Sequence, residues 1–280
     1  MTTPLFDGLF DDAALFPPGD APMASAVPAH RELKASLGGL VGPLVVPAAR
    51  LDELVQQLGD GEPFGISLIV AAGNLPTAAA RVTGDARLVL AAVEVPVVGD
   101  AGAAAEAVRV LDTVLPGDVP AAVEVPRTEA RDEVLDVLAG TRYRAKLRTG
   151  GLRAELFPSP VELAATLAAC VAREVAFKCT AGLHHAVRHT DPATGFGHHG
   201  FLNLLLAATA LVAGAPAEEA ADLLAETEAD ALVAALRSWP AARAAHARAA
   251  FTSFGTCSVR EPVDDLVRLR LLPAPEGIPA

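Results

Sequence analysis

The chain has 280 residues, 52% of them hydrophobic and 20% charged, with a formal net charge of −12. That length suffices for one large domain with a full core, and the acidic balance argues against nucleic acid or an anionic membrane as a main partner. Cys170, Cys179 and Cys257 lie far apart without paired spacing, which argues against a disulfide framework and fits a reduced, cytoplasmic protein.

Met1 to Asp7 shows no basic segment and no long apolar run, so no signal peptide is expected. Asp11-Asp12 read as a turn ahead of a first strand at Ala13-Phe16, and a helix around Met23-Leu37 is weakened by Pro28. Further apolar runs rich in Val, Ile and Leu predict strands at Leu44-Pro47, Gly65-Val70, Leu88-Val95, Ala121-Val125, Arg142-Leu147, Val175-Thr180 and Ser253-Val259. Helical segments alternate with them, clearest at Leu51-Leu58, Ala103-Leu115, Glu129-Leu138, Val161-Arg173 and Pro262-Leu269. Ser159-Pro160 supplies an N-cap and a first-turn proline for the fourth of these.

Eight such units predict an α/β fold, a (β/α)8 TIM-type barrel, with residues 1–280 as one domain. A doubly wound sheet would carry a Gly-rich phosphate turn after its first strand, where this chain has Pro17-Pro18-Gly19. About seventy residues separate the seventh and eighth strands, against about thirty in an ordinary unit. Helical pieces at Phe201-Ala213, Ala217-Ala225, Asp230-Trp239 and Ala241-Ala249 make residues 200–250 a helical insertion that caps the barrel or forms a dimer face. Phe201-Ala213 is too short to span a bilayer and is a candidate surface for a homo-oligomer.

Strand side chains alternate between faces, and the outer face of such a barrel packs on helices. Tyr143, Ala145 and Leu147 then face outward and Arg144, Lys146 and Arg148 inward. The same parity turns Lys178, Thr180, Glu94 and Glu124 inward, so four consecutive strands give the lumen Glu94, Glu124, Lys146 and Lys178. A bland reading makes these a structural charge network. The functional reading starts from their expected place near the C-terminal strand ends, where barrel enzymes keep their sites. A neutral lysine attacks a carbonyl to form a Schiff base. A second ammonium and partial desolvation favour the neutral amine, and a carboxylate can move the protons.

Three phrases resemble class I aldolases of the deoxyribose-phosphate aldolase type: Lys146-Leu147-Arg148-Thr149-Gly150, Lys178-Cys179-Thr180-Ala181-Gly182 and Gly255-Thr256-Cys257-Ser258. The resemblance implies Lys146 as nucleophile, Lys178 as the neighbour that lowers its pKa, and Glu94 or Glu124 in place of the family's acid. It also implies Thr256 and Ser258 near a substrate phosphate. Glutamate for aspartate, Arg148 inside the lysine phrase, the histidine loop and the long insertion depart from that family. Phe177 to His185, with His199-Gly200-Phe201-Leu202-Asn203, is also similar to a bacterial barrel family of unassigned activity.

His184, His185, His189, His198 and His199 fall in one segment after the seventh strand, over the expected barrel mouth. Imidazoles suit a divalent metal such as Zn, with His184, His185, His198 and His199 the alternative ligand set, yet no His-Glu-x-x-His or paired-Cys motif is present. The plainer reading gives one or two of them, His184 or His185, a substrate or proton-transfer role. Gly150 and Gly151 beside Arg148 are candidate donors to a phosphate or carboxylate. His30 and His246 are lone and expected at the surface or in helix packing.

The reading is a lyase acting on a small, anionic or neutral carbonyl compound through an imine at Lys146, with Lys178, Glu94 and Glu124 catalytic and no cofactor. The substrate-binding set would be Arg148, Thr180, His184, His185, Gly150, Gly151, Thr256 and Ser258. Alternatives are a metal-dependent lyase or hydrolase using the histidine loop, and a non-catalytic barrel binding a small anion.

Overall fold

A computed structural model describes residues 3–273. It shows a closed, all-parallel barrel with strand order β1-β10-β7-β6-β5-β4-β3-β2. The strands are β1 (Phe10–Asp12), β2 (Val41–Pro47), β3 (Phe64–Ile69), β4 (Leu88–Val95), β5 (Ala121–Glu124), β6 (Arg144–Arg148), β7 (Phe177–Thr180) and β10 (Phe251–Thr256). The expected (β/α)8 TIM-type barrel is therefore present. Between β7 and β10, β8 (His189–Thr190) and β9 (Gly197–His198) form a small antiparallel hairpin.

The helices are α1 (Thr3–Phe6), α2 (Met23–Leu37), α3 (Leu51–Gln57), α4 (Leu75–Thr83), α5 (Ala101–Val114), α6 (Arg131–Leu138) and α7 (Pro160–Ala172). They continue as α8 (Phe201–Val212), α9 (Ala217–Ala225), α10 (Ala229–Arg237), α11 (Ala241–Ala250) and α12 (Arg260–Arg268). Ser159 caps α7 by accepting the Glu162 N–H at 3.1 Å, as its sequence signal predicts. Helix α2 runs uninterrupted through Pro28, which removes one backbone bond early in a fifteen-residue helix.

The first strand departs from expectation. It occupies Phe10–Asp12, so Asp11 and Asp12 are strand residues, not a preceding turn. Phe10 faces the helices and meets Phe254 and Phe201 edge-on at centroid distances of 5.4 and 5.7 Å. Alternation then sends Asp11 into the lumen and Asp12 outward, where its Oδ2 lies 2.9 Å from His30 Nδ1. His30 is consequently buried, not a surface residue, while His246 is exposed.

The apolar helix of the insertion, α8, is packed into the fold rather than presented on its surface. Helix α8 is buried on nearly every face, as an all-round apolar helix must be, and α9 and α11 pack over it. Asn203 pins it: its Oδ1 accepts the Arg188 N–H at 2.9 Å and its Nδ2 donates to Leu223 O and Glu226 O at 2.8 Å each. The self-association surface inferred from Phe201-Ala213 is thus covered within the chain itself. One segment, Ala154–Ala172, is long and apolar enough to cross a membrane by length and composition. Its α7 part buries Leu163, Leu167 and Cys170 within the fold's apolar core.

Candidate active site

Inward-facing side chains from seven strands meet inside the barrel. Lys146 and Lys178 are register partners on β6 and β7, 4% and 5% exposed, and both bind the same buried carboxylate, Glu94 of β4. Lys146 Nζ lies 2.9 Å from Glu94 Oε2 and 3.4 Å from Glu124 Oε2 on β5. Lys178 Nζ donates to Glu94 Oε1 and, at 2.8 Å, to Asp11 Oδ2. Ser67 of β3 donates to Glu94 Oε1 at 3.1 Å, and Ser253 of β10 to Asp11 Oδ2 at 2.8 Å.

The four fully buried charges cancel, which is the condition for holding them out of water. Burial alone would raise the Glu94 pKa, but the Lys178 and Lys146 charges overcome it and hold the carboxyl at about 2. For Lys178, burial favours the neutral amine, yet Asp11 and Glu94 together raise its pKa above the ordinary lysine value. Lys178 is therefore a fixed cation. Lys146 sits instead between shared Glu94 and Glu124, which is one-fifth exposed and also lies 3.6 Å from Arg148 Nη2.

The heights of these groups differ from expectation. Lys146 and Lys178 lie midway along their strands, not at their C-terminal ends; only Glu94 and Glu124 are at or next to the ends. Small residues below them, Gly42, Ala92 and Ala122, leave a cavity of about 170 Å3 toward the N-terminal mouth. Gly42 is required there: a Cβ would stand 2.1 Å from Asp11 Oδ1. Asp11 was not placed in the site by sequence, because aspartate is depleted in strands and an Asp-Asp pair reads as a turn.

The remaining candidates divide. Arg148 reaches Glu124, and alternation puts Thr180 on the lumen side beside Gly255. Alternation places Thr256 on the opposite side from Ser253 and Gly255, and its Oγ1 donates to Ser258 O at 3.2 Å within the local turn. Gly150 serves close packing: a Cβ there would lie 2.6 Å from Phe157 and 2.8 Å from Gly182 Cα. At Gly151 it would lie 2.4 Å from Leu156, so both glycines admit neighbouring chain to the turn.

The histidine loop is tied to α12. His184 Nδ1 lies 2.9 Å from Glu261 Oε2 and 3.7 Å from Cys257 Sγ; His185 Nδ1 lies 3.1 Å from Asp265 Oδ2. His199 Nε2 donates to Pro158 O at 2.8 Å, which leaves Nδ1 to accept from Arg188, and burial lowers its pKa to about 4. Burial likewise lowers the pKa values of His189 and His198. Among the described residues no hydrogen bond or ion pair joins a loop histidine to the lumen charges. Nor do three His, Cys, Asp or Glu side chains converge to hold an ion among those residues, so the ligand set His184, His185, His198 and His199 does not assemble. Burial raises the Cys257 thiol, which disfavours a thiolate nucleophile.

Comparison with protein-family models, with curated proteins and with solved structures finds no match to the chain in any of the three.

Proposed function

We propose that the chain is a cytoplasmic lyase of aldolase type that forms an imine between Lys146 and a small carbonyl compound. The observation that carries this reading is the unequal hold on two adjacent buried amines: Lys178 is clamped by Asp11 and Glu94, while Lys146 faces Glu124, a carboxylate with solvent access. A nucleophile needs a proton outlet, and Glu124 is one.

Lys146 passes a proton to Glu124, and the free amine adds to the carbonyl carbon. The carbinolamine takes the proton back on oxygen and loses water, giving an iminium. The iminium draws the electrons of the Cα–Cβ bond as a base removes the proton of the β-hydroxyl. An aldehyde leaves, the enamine is protonated at carbon, and water releases the product and restores the amine. Lys178 supplies a fixed positive charge beside Lys146, and Glu94 holds the two amines in register. Arg148, partly exposed at the C-terminal mouth, favours an anionic substrate group.

The test is borohydride reduction of the full chain with a panel of small aldehydes, ketones and 2-oxo acids, followed by peptide mapping. The expected adduct maps to Lys146 and disappears in Lys146→Met. An adduct on Lys178, an adduct that persists in Lys146→Met, or no trapping by any of the panel would overturn the proposal.

A further inference from the structure

Two arginines at the N-terminal mouth make no ion pair with a carboxylate among the described residues. Arg144, the first residue of β6, projects into the 170 Å3 cavity and has no hydrogen bond or ion pair among the described residues. Arg248 on α11 donates to Phe251 O at 2.7 Å and Asp7 O at 3.0 Å, both uncharged carbonyls. Both guanidiniums are half-buried. Burial lowers the pKa of each, and for Arg248, held at about 10, the nearby Arg144 charge adds to that effect while Asp11 opposes it.

The buried acids lining the cavity are already committed, and the other acid whose charge bears on either arginine is exposed Asp7, which acts on Arg248. Asp11 is bound by Lys178 and Ser253, and Glu94 by both lysines and Ser67. Arg144 is thus left without a counter-charge of its own, and Arg248 with only exposed Asp7 near it, in a chain whose net charge is −12. Lys178 lines the same cavity and uses two of its three N–H donors on Asp11 and Glu94, leaving one.

We propose that this cavity binds a phosphate group, with the Arg144 guanidinium as its bidentate donor and the Arg248 charge behind it. Phosphate carries negative charge enough to meet the Arg144 guanidinium and the Arg248 charge behind it, and the planar fork of arginine matches phosphate oxygens. The volume holds one tetrahedral oxyanion with a few waters. The cavity opens at the mouth opposite Glu124 and Arg148; it shares Lys178 and Glu94 with the imine proposal, but Arg144 and Arg248 take no part in that chemistry, so phosphate binding is tested independently of imine trapping.

Thermal unfolding of the full chain in inorganic phosphate against chloride at matched ionic strength, with titration calorimetry, tests it. The midpoint is expected to climb with phosphate concentration, because a ligand that binds only the folded chain stabilises it. Arg144→Gln is expected to weaken phosphate binding at least about tenfold without lowering the midpoint in chloride. Ala122→Leu fills the cavity and is expected to weaken binding comparably with the arginine intact. Glycerol phosphate binding more tightly than inorganic phosphate assigns the site to the phosphoryl end of an organic ligand; the reverse assigns it to the free ion. No midpoint rise above chloride, or affinity unchanged in both variants, overturns the proposal.

Discussion

At the C-terminal half of the lumen each charged side chain near the lysines has an opposite partner, whereas at the N-terminal mouth Arg144 and Arg248 make no ion pair among the described residues. The difference follows from which residues fill each level. Above, long acids and bases interleave: Glu94, Glu124, Lys146 and Arg148. Below, Gly42, Ala92 and Ala122 replace side chains with space, and Arg144 points into it. A paired interior is self-sufficient; an unpaired one is incomplete without a ligand. The N-terminal face of such barrels usually reads as stability, so an unmatched arginine in a hollow there is unusual for the fold.

The sharpest way to break the contrast is to remove Glu94. Glu94→Ala leaves two buried ammoniums short of a counter-charge and is expected to cost about 3–5 kcal/mol in urea unfolding. Lys178→Met comes next, at about 3 kcal/mol, because Asp11 is left without its cation. Lys146→Met should cost less, about 1–2 kcal/mol, since Glu94 keeps Lys178 and Ser67 and Glu124 keeps Arg148. If Lys146→Met proves the costlier of the two, the unequal hold on the amines is wrong.

Acid sharpens the same comparison. The folded-state pKa of Glu94 lies below its ordinary value of 4.5, at about 2. Its contribution is therefore complete above about 4.5 and is lost as pH falls from there toward about 2, some 3 kcal/mol in all. The stability gap between the wild-type chain and Glu94→Gln should accordingly narrow between pH 6 and pH 3, as followed by urea midpoints. The smallest effect belongs to the loop: His184→Ala, which removes a partly exposed contact to Glu261, should cost under about 1 kcal/mol. A large loss of imine trapping in that variant would return His184 to the chemistry.

Much of this was legible in the sequence. Regular alternation of apolar runs and helical segments specifies the barrel, and period-two parity turns Arg144, Lys146, Lys178, Glu94 and Glu124 inward, where they are found. Asp11 was hidden because Asp-Asp is a turn signal, and only the register of β1 against β10 overrides it. The cavity was hidden because it needs small residues from β2, β4 and β5 at one height, a property of strand stagger that no single segment carries. The pairing of His184 and His185 with α12 joins residues nearly eighty positions apart, beyond the reach of local pattern.

Gly150 and Gly182 follow the two lysine strands, and their backbones touch with no side chain between them. The turn beyond β6 therefore rests directly on the start of the histidine loop, bone against bone. Thr149 Oγ1 donates across the same contact to Ala181 O at 2.6 Å and Thr180 O at 3.3 Å, so the residue three positions beyond Lys146 is tied to the start of the histidine loop. A side chain at either glycine would part the two turns, so the small residues here fix how the end of β6 meets the loop.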